Sequence, residues 1–267
     1  MEPHSHPGTA LITGASSGIG ALYADRLARH GYDLILVARN RERLNALARD
    51  LSTRTGRSVE VLPADLNDRA ELARVEDLLR RDASITLLVN NAGIGTHTPL
   101  LQSDVEQMTR MVELNVTAPM RLAYAAVPGF VARGRGAIIN IASIVAIAPE
   151  VLNGVYGGSK AFVLAFSQSL QHELADKGIR VQAVLPGATA TDFWAIGGLP
   201  VEHLDQRIVM RAEDLVDAAL LGFARGERIT IPSLHDGEKW NAYEAARQAM
   251  ANHLSSSTVA PRYAAAR

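Results

Sequence analysis

Short, continuous apolar runs alternate with longer segments of helical period along most of this chain, and no other feature constrains its fold as much. Residues 9–13 precede a helical pattern at 19–30, 33–38 precede 41–53, 58–62 precede 68–81, and 85–90 precede 104–132. The runs at 136–142 and 179–185 flank a pattern at 156–176, and 228–232 can supply a last strand. Runs such as LILVA and LLVN are apolar throughout, as strands covered on both faces are. Their alternation with helices predicts an α/β fold: a single doubly wound domain, with a parallel sheet of about seven strands and helices on both faces. The domain is expected to span 9–254, between short tails at 1–8 and 255–267.

Charge and composition remove several function classes. The 267 residues carry 27 basic and 28 acidic groups and no long basic run, which excludes a broad nucleic-acid or anionic-membrane surface. There are no cysteines, so disulfides, thiolate metal sites and a cysteine nucleophile are excluded. No apolar stretch reaches the roughly 18 residues of a spanning helix, and residues 1–8 lack a signal-peptide pattern. A cytoplasmic, soluble protein without a nucleic-acid or membrane partner is expected. His172-Glu173 begins like a zinc-binding HExxH, but position 176 is Asp and the other histidines lack ligand spacing. No metal site is expected.

The first predicted strand runs into Gly14-Ala15-Ser16-Ser17-Gly18-Ile19-Gly20 and then directly into a helix. Glycines at such a turn let backbone approach a pyrophosphate, and the helix N-terminus supplies unpaired N–H groups and a favourable dipole. The competing reading is a glycine turn that merely closes a tight corner. The second strand ends at Val37-Ala38-Arg39, where dinucleotide folds meet the adenosine ribose. No carboxylate is present there to accept from ribose hydroxyls, whereas a guanidinium can pair with a 2′-phosphate. That favours NADP(H) over NAD(H); the alternative is that Arg39 opens a solvated helix with Arg41, Glu42 and Arg43.

Tyr156 and Lys160 stand four apart on a predicted helix, so their side chains share a face. An ammonium beside a phenol favours the phenolate and is expected to draw the tyrosine pKa down from ~10, making it a usable acid. Ser143 lies 13 residues earlier, at the C-terminal end of a predicted strand, where open α/β sheets place ligands. It can donate to the same substrate oxygen. The bland alternative is a helix surface pair, and Lys160 is one of only three lysines.

Together these residues resemble the short-chain dehydrogenases/reductases. The matching elements are TGASSGIG at 13–20, Asp65-Leu66, NNAG at 90–93, Asn115, Ser143, YGGSK at 156–160, and Pro186-Gly187 followed by Thr189 and Thr191. The resemblance covers 9–191 and implies a Rossmann-type fold. It implies that the cofactor stretches from Arg39, Asp65 and Leu66, past Asn91, Ala92 and Gly93, to Pro186, Gly187, Thr189 and Thr191. It also implies that Lys160 and Tyr156 meet the nicotinamide ribose, and that Asn115 completes a catalytic tetrad. Asn115 has a physical argument of its own. Ser103 and Glu106 read as a capping box for a helix containing Pro119, which has no N–H to offer the Asn115 carbonyl. A kink is expected there; in the family that carbonyl holds a water linking Lys160 to solvent.

Two function classes remain: an NADP(H)-dependent carbonyl reductase or alcohol dehydrogenase with Tyr156 as general acid/base, and a catalytically idle dinucleotide-binding regulatory or scaffold protein. The segment 191–211 opens with Phe193-Trp194-Ala195-Ile196 and paired glycines, which suits an apolar flap over a small-molecule ketone, aldehyde or secondary alcohol. The alternative is that these aromatics only pack the flap down. Helices apolar over a wide arc (Leu122, Ala126, Phe162, Leu164, Ala165, Phe166) point, with the resemblance, to a homodimer or homotetramer. A last helix over 238–254, with Trp240, Tyr243, Ala246 and Met250 on one face, is expected to pack on the core.

Overall fold

The structure is a computed structural model and describes residues 6–263. Strands β1 (Thr9–Thr13), β2 (Asp33–Ala38) and β3 (Val59–Pro63) alternate with helices α1 (Gly18–Arg29), α2 (Arg41–Thr55) and α3 (Arg69–Arg81). After β4 (Ile85–Asn90) come α4 (Val105–Val112), α5 (Ala118–Ala132), β5 (Gly136–Ile141), α6 (Gly154–Glu173) and β6 (Ile179–Val184). The remainder comprises β7 (Thr189–Ala190), the single turn α7 (Phe193–Ile196), β8 (Met210–Arg211), α8 (Ala212–Ala224), β9 (Ile229–Thr230) and α9 (Glu238–Ala251).

Seven strands form one parallel sheet in the order β3-β2-β1-β4-β5-β6-β9, as expected. Chain order reverses between β1 and β4, the position at which such sheets open a crevice at their carboxyl ends. Alternate residues of β1 serve the two faces. Ala10 and Ile12 join Tyr23, Leu44 and Phe223 from α1, α2 and α8, while Leu11 joins Leu72, Phe130 and Leu170 from α3, α5 and α6. Among the described residues no helix is long and apolar enough to cross a membrane.

The expected helix over 104–132 is interrupted. A π-helical turn, Glu113–Thr117, separates α4 from α5, and the Ala118 N–H reaches back to the Glu113 carbonyl. Pro119 cannot continue the regular ladder, so the helix widens at the residues that include Asn115. The capping box is corrected as well: Asp104, not Ser103, caps α4 by accepting from the Gln107 N–H at 2.9 Å. Ser103 instead donates to the Thr98 and Pro99 carbonyls. Asn40 caps α2, so Arg39 stands just outside the solvated helix that the alternative reading has it open.

The chain divides into two compact units at Pro232/Ser233. The second unit carries α9, in which the Trp240 and Tyr243 rings lie 5.4 Å apart. No residue of α9 is buried.

Candidate active site

All strands of the large sheet are parallel, so the segments that follow β1, β4, β5 and β6 emerge at one end. The segment after β4 is laced to the glycine turn after β1. Thr13 Oγ1 donates to the Val89 carbonyl and accepts from the N–H groups of Asn91 and Ala92, each at 3.0 Å. Asn91 Nδ2 donates to the carbonyls of Thr13 (2.9 Å) and Gly14 (3.2 Å). Gly14 has φ +65°, and a side chain on Gly20 would overlap the Gly14 carbonyl oxygen. Only glycine permits this tight path.

Ser17 occupies the N-cap of α1 in extended backbone, yet its side chain makes no capping bond, and no acidic residue lies in the first turn. Ser16, Gly18 and Ile19 are half-buried around it. The donors at this helix start are therefore available to an anion, which fits a pyrophosphate. Arg39 is exposed just beyond β2, and its guanidinium pairs with no described residue. Beyond β3, Leu66 is buried and Asp65 accepts from the Asn67 N–H through Oδ1 (3.0 Å). Thr191 reaches across from the other half of the sheet, its Cγ2 3.3 Å from where Gly18 would carry a side chain. The glycine turn and Thr191 thus stand together at the carboxyl end of the sheet.

The proposed tetrad also converges. Asn153 caps α6 by accepting from the Val155 and Tyr156 N–H groups, so the helix begins at Gly154, two residues earlier than expected. Tyr156 and Lys160 are both buried on it. Ser143 follows β5; its Oγ donates to the Pro186 carbonyl at 3.4 Å and accepts from the Val145 N–H at 3.3 Å. Both bonds are long and weak, which leaves this hydroxyl easy to re-aim. Asn115 is buried, and its side chain pairs both ways with the Ile94 backbone, accepting at 3.0 Å and donating at 2.8 Å. It also donates to Ser159 Oγ, which in turn donates to the Tyr156 carbonyl. Gly93 lies beside this pair: a Cβ there would stand 3.1 Å from Asn115 Oδ1 and 3.4 Å from Lys160 Nζ. Pro186 and Gly187 follow β6, and Thr189 donates to the Gly187 carbonyl at 3.0 Å.

The electrostatics differ from the expectation in one respect. Burial pushes the Tyr156 phenol up to about 12, and a hydrogen bond with Ser143 pulls it back only in part. Lys160 does not offset this, because it is itself pushed down to about 8 by burial and donates to the Ile141 carbonyl at 2.9 Å. Desolvation outweighs the attraction between the two groups.

Sequence reasoning missed two supports. Asn153, besides capping α6, donates to the Thr98 carbonyl at 2.7 Å and ties the helix to the segment after β4. Its signal was visible, since asparagine is a preferred N-cap. Phe193 lies 5.8 Å from the Tyr156 ring, a tertiary contact that no local pattern encodes.

Comparison with known proteins agrees with this geometry. The short chain dehydrogenase family matches residues 8–196, and the chain belongs to that family of oxidoreductases. It is 50% identical to a short-chain dehydrogenase from Sphingobium yanoikuyae solved in complex with NADPH, covering 96% of this chain and 100% of that one, with a TM-score of 0.94. It is 46% identical to a bulky-bulky ketone specific alcohol dehydrogenase from Comamonas testosteroni, covering 97% and 99%, with a TM-score of 0.90. An uncharacterized oxidoreductase of Staphylococcus epidermidis is 31% identical, over 83% of this chain and 93% of its own.

Proposed function

We propose that this protein is an NADP(H)-dependent carbonyl reductase or alcohol dehydrogenase acting on ketones with apolar substituents, and on the matching secondary alcohols. The observation that carries the reading is the buried group of Ser143, Tyr156 and Lys160 with Asn115 behind it, at the carboxyl end of the sheet. The NADPH complex of the Sphingobium relative and the ketone specificity in the Comamonas relative's description support it.

The glycine turn and the open start of α1 would hold the pyrophosphate, Arg39 the 2′-phosphate, and Lys160 the nicotinamide ribose. The cofactor, when bound, supplies or accepts the hydride. Ser143 donates a hydrogen bond to the substrate carbonyl oxygen and fixes its place. Tyr156 protonates that oxygen as negative charge develops on it. A phenol near 12 is fully protonated at neutral pH, so the resting side chain is set as a donor. The Lys160 ammonium stabilises the phenolate left behind, and the Asn115 carbonyl, deprived of the Pro119 N–H, would hold a water through which a proton returns from solvent by way of Lys160. An idle binding protein would be free to lose these groups; all four are present.

The test is loss of nicotinamide absorbance from NADPH with a panel of ketones. Turnover of uncharged ketones is expected; tight NADPH binding with no turnover of any carbonyl would overturn the reading. We assign a homodimer or homotetramer to the face of α5 and α6, where exposed Tyr124 stacks 6.4 Å from Phe166 and Phe166 lies 5.7 Å from Phe162. A monomer by light scattering at micromolar concentration would refute it.

A further inference from the structure

We infer that Phe193, seated on Gly95, sets the size limit of the substrate site on the Tyr156 side; this deepens the ketone-reductase reading and rests on it. The flap is anchored at both ends. Its first residues follow β7 and its last enter β8, and these two strands pair in parallel, Thr189 opposite Met210 and Ala190 opposite Arg211. Within it, Trp194 Nε1 donates to the Thr189 carbonyl at 2.9 Å and packs edge-on against Phe193, ring centroids 5.9 Å apart. That support directs Phe193 inward, onto the buried cluster of Met111, Val145 and Tyr156.

The ring fits there because residue 95 has no side chain. A Cβ on Gly95 would collide with Phe193 Cζ and stand 3.1 Å from Tyr156 Cε2. The space flanking the phenol is thus shared between Phe193 and a backbone position. A ketone whose oxygen meets the Tyr156 hydroxyl must place one arm near this space. The cleft under the flap is walled by Gly95 and Phe193 themselves, together with His97, Leu152, Trp194 and Leu199, so Phe193 borders the space such an arm must enter. No lysine or arginine lies between Arg180 and Arg207, so the flap segment up to that point offers no cation to a charged arm. A large arm on the Tyr156 side has to stack on the Phe193 ring or displace it.

The experiment compares kcat/KM for a methyl aryl ketone and a diaryl ketone in wild type, Phe193→Ala, Phe193→Leu and Gly95→Ala. Phe193→Ala is expected to shift the ratio at least about tenfold toward the diaryl ketone, the scale on which a hydrophobic pocket resolves size. Phe193→Leu, a milder change that keeps an apolar plug in the flap, should shift it the same way by less. Gly95→Ala, which crowds ring and phenol together, should lose the diaryl ketone first. A wild type inactive on both ketones defeats the reductase reading. Turnover with a ratio unmoved within about twofold in both Phe193 variants overturns the size limit alone.

Discussion

Two helices of this protein start soon after strands and bury a tyrosine near their beginnings, Tyr23 in α1 and Tyr156 in α6. Burial raises the pKa of both phenols. Beyond that they differ. Tyr156 shares a hydrogen bond with Ser143, lies beside Lys160 and packs against Phe193 of the flap, whereas the hydroxyl of Tyr23 is sealed in the core with no partner among the described residues. A shifted pKa is therefore a consequence of burial in both places, and only partners and access turn it into chemistry. The halves of the site divide the labour accordingly. At α1 the backbone is placed for work, through glycines and unclaimed N–H groups; at α6 the side chains are.

The same atom removed from each tyrosine should have opposite consequences, and Tyr156 gives the larger. Tyr156→Phe is expected to lower turnover by about 100-fold or more while NADPH affinity stays near wild type, as for loss of a positioned proton donor. Steady-state kinetics and cofactor titration measure the two quantities. The pH dependence sharpens the assignment. Burial lowers Lys160 to about 8 and raises Tyr156 to about 12, so on raising the pH the ammonium is lost first. The alkaline limb of kcat/KM for NADPH should fall near pH 8. A limb only near 12 would transfer it to Tyr156 and leave Lys160 without a role in the free enzyme.

The α1 half is tested through charge. Arg39 is exposed and pairs with no described residue, so replacing it disturbs little of the fold. Arg39→Asp removes a charge-assisted pair with a 2′-phosphate and adds repulsion. The ratio of kcat/KM for NADPH to that for NADH should fall on the order of 10- to 100-fold. Equal use of both cofactors by wild type would break the assignment of this residue.

How far the sequence could be read follows the same division. The sheet was legible because its strands are continuous apolar runs, and β2 and β4 fall at the expected limits, Asp33–Ala38 and Ile85–Asn90. The site's order along the chain was legible because glycines and the Tyr156–Lys160 spacing are local patterns. The balance between desolvation and the Lys160 charge was not, since it depends on how deeply the whole fold covers both groups. Nor was the π turn: Pro119 predicts a kink at Asn115, and the helix takes a π turn there. α9 shows the limit of periodicity, which identifies an apolar side but not what covers it.

α1 is tied to its neighbours by an ion network as well as by its buried face. Asp25, 8% exposed, accepts from Arg26 (2.8 Å), Arg29 (2.9 Å) and Arg54 (2.8 Å), and Arg26 continues to Asp217 on α8. Burial alone would raise this carboxyl, but the hydrogen bonds from Arg29, Arg54 and Arg26 win and hold it down at about 2. A carboxylate depressed in the folded state adds stability that is fully present above its unfolded pKa, near 3.8, and is lost as pH falls toward 2. Asp25→Asn should cost roughly 2 kcal/mol at neutral pH and flatten the acid limb of the stability curve. Denaturant melts at several pH values measure both. An unchanged acid limb would show that the network is decoration.

The smallest effect is the most discriminating. Tyr23 is 0% exposed, sits among Ile12, Leu44 and Phe223, and carries a hydroxyl without a hydrogen-bond partner among the described residues. A buried polar group in that condition costs about 1–3 kcal/mol of desolvation, while the ring beneath it packs as phenylalanine would. Tyr23→Phe keeps the ring and removes only the unsatisfied group. It should stabilise the protein by about 1 kcal/mol, a rise in Tm of about 2–4 °C for a chain of this size, and leave kcat and KM unaltered. Loss of stability would mean that the hydroxyl has a partner, such as a buried water, and that the two tyrosines are less different than their surroundings indicate. Loss of turnover without loss of stability would place Tyr23 in the chemistry and break the comparison outright.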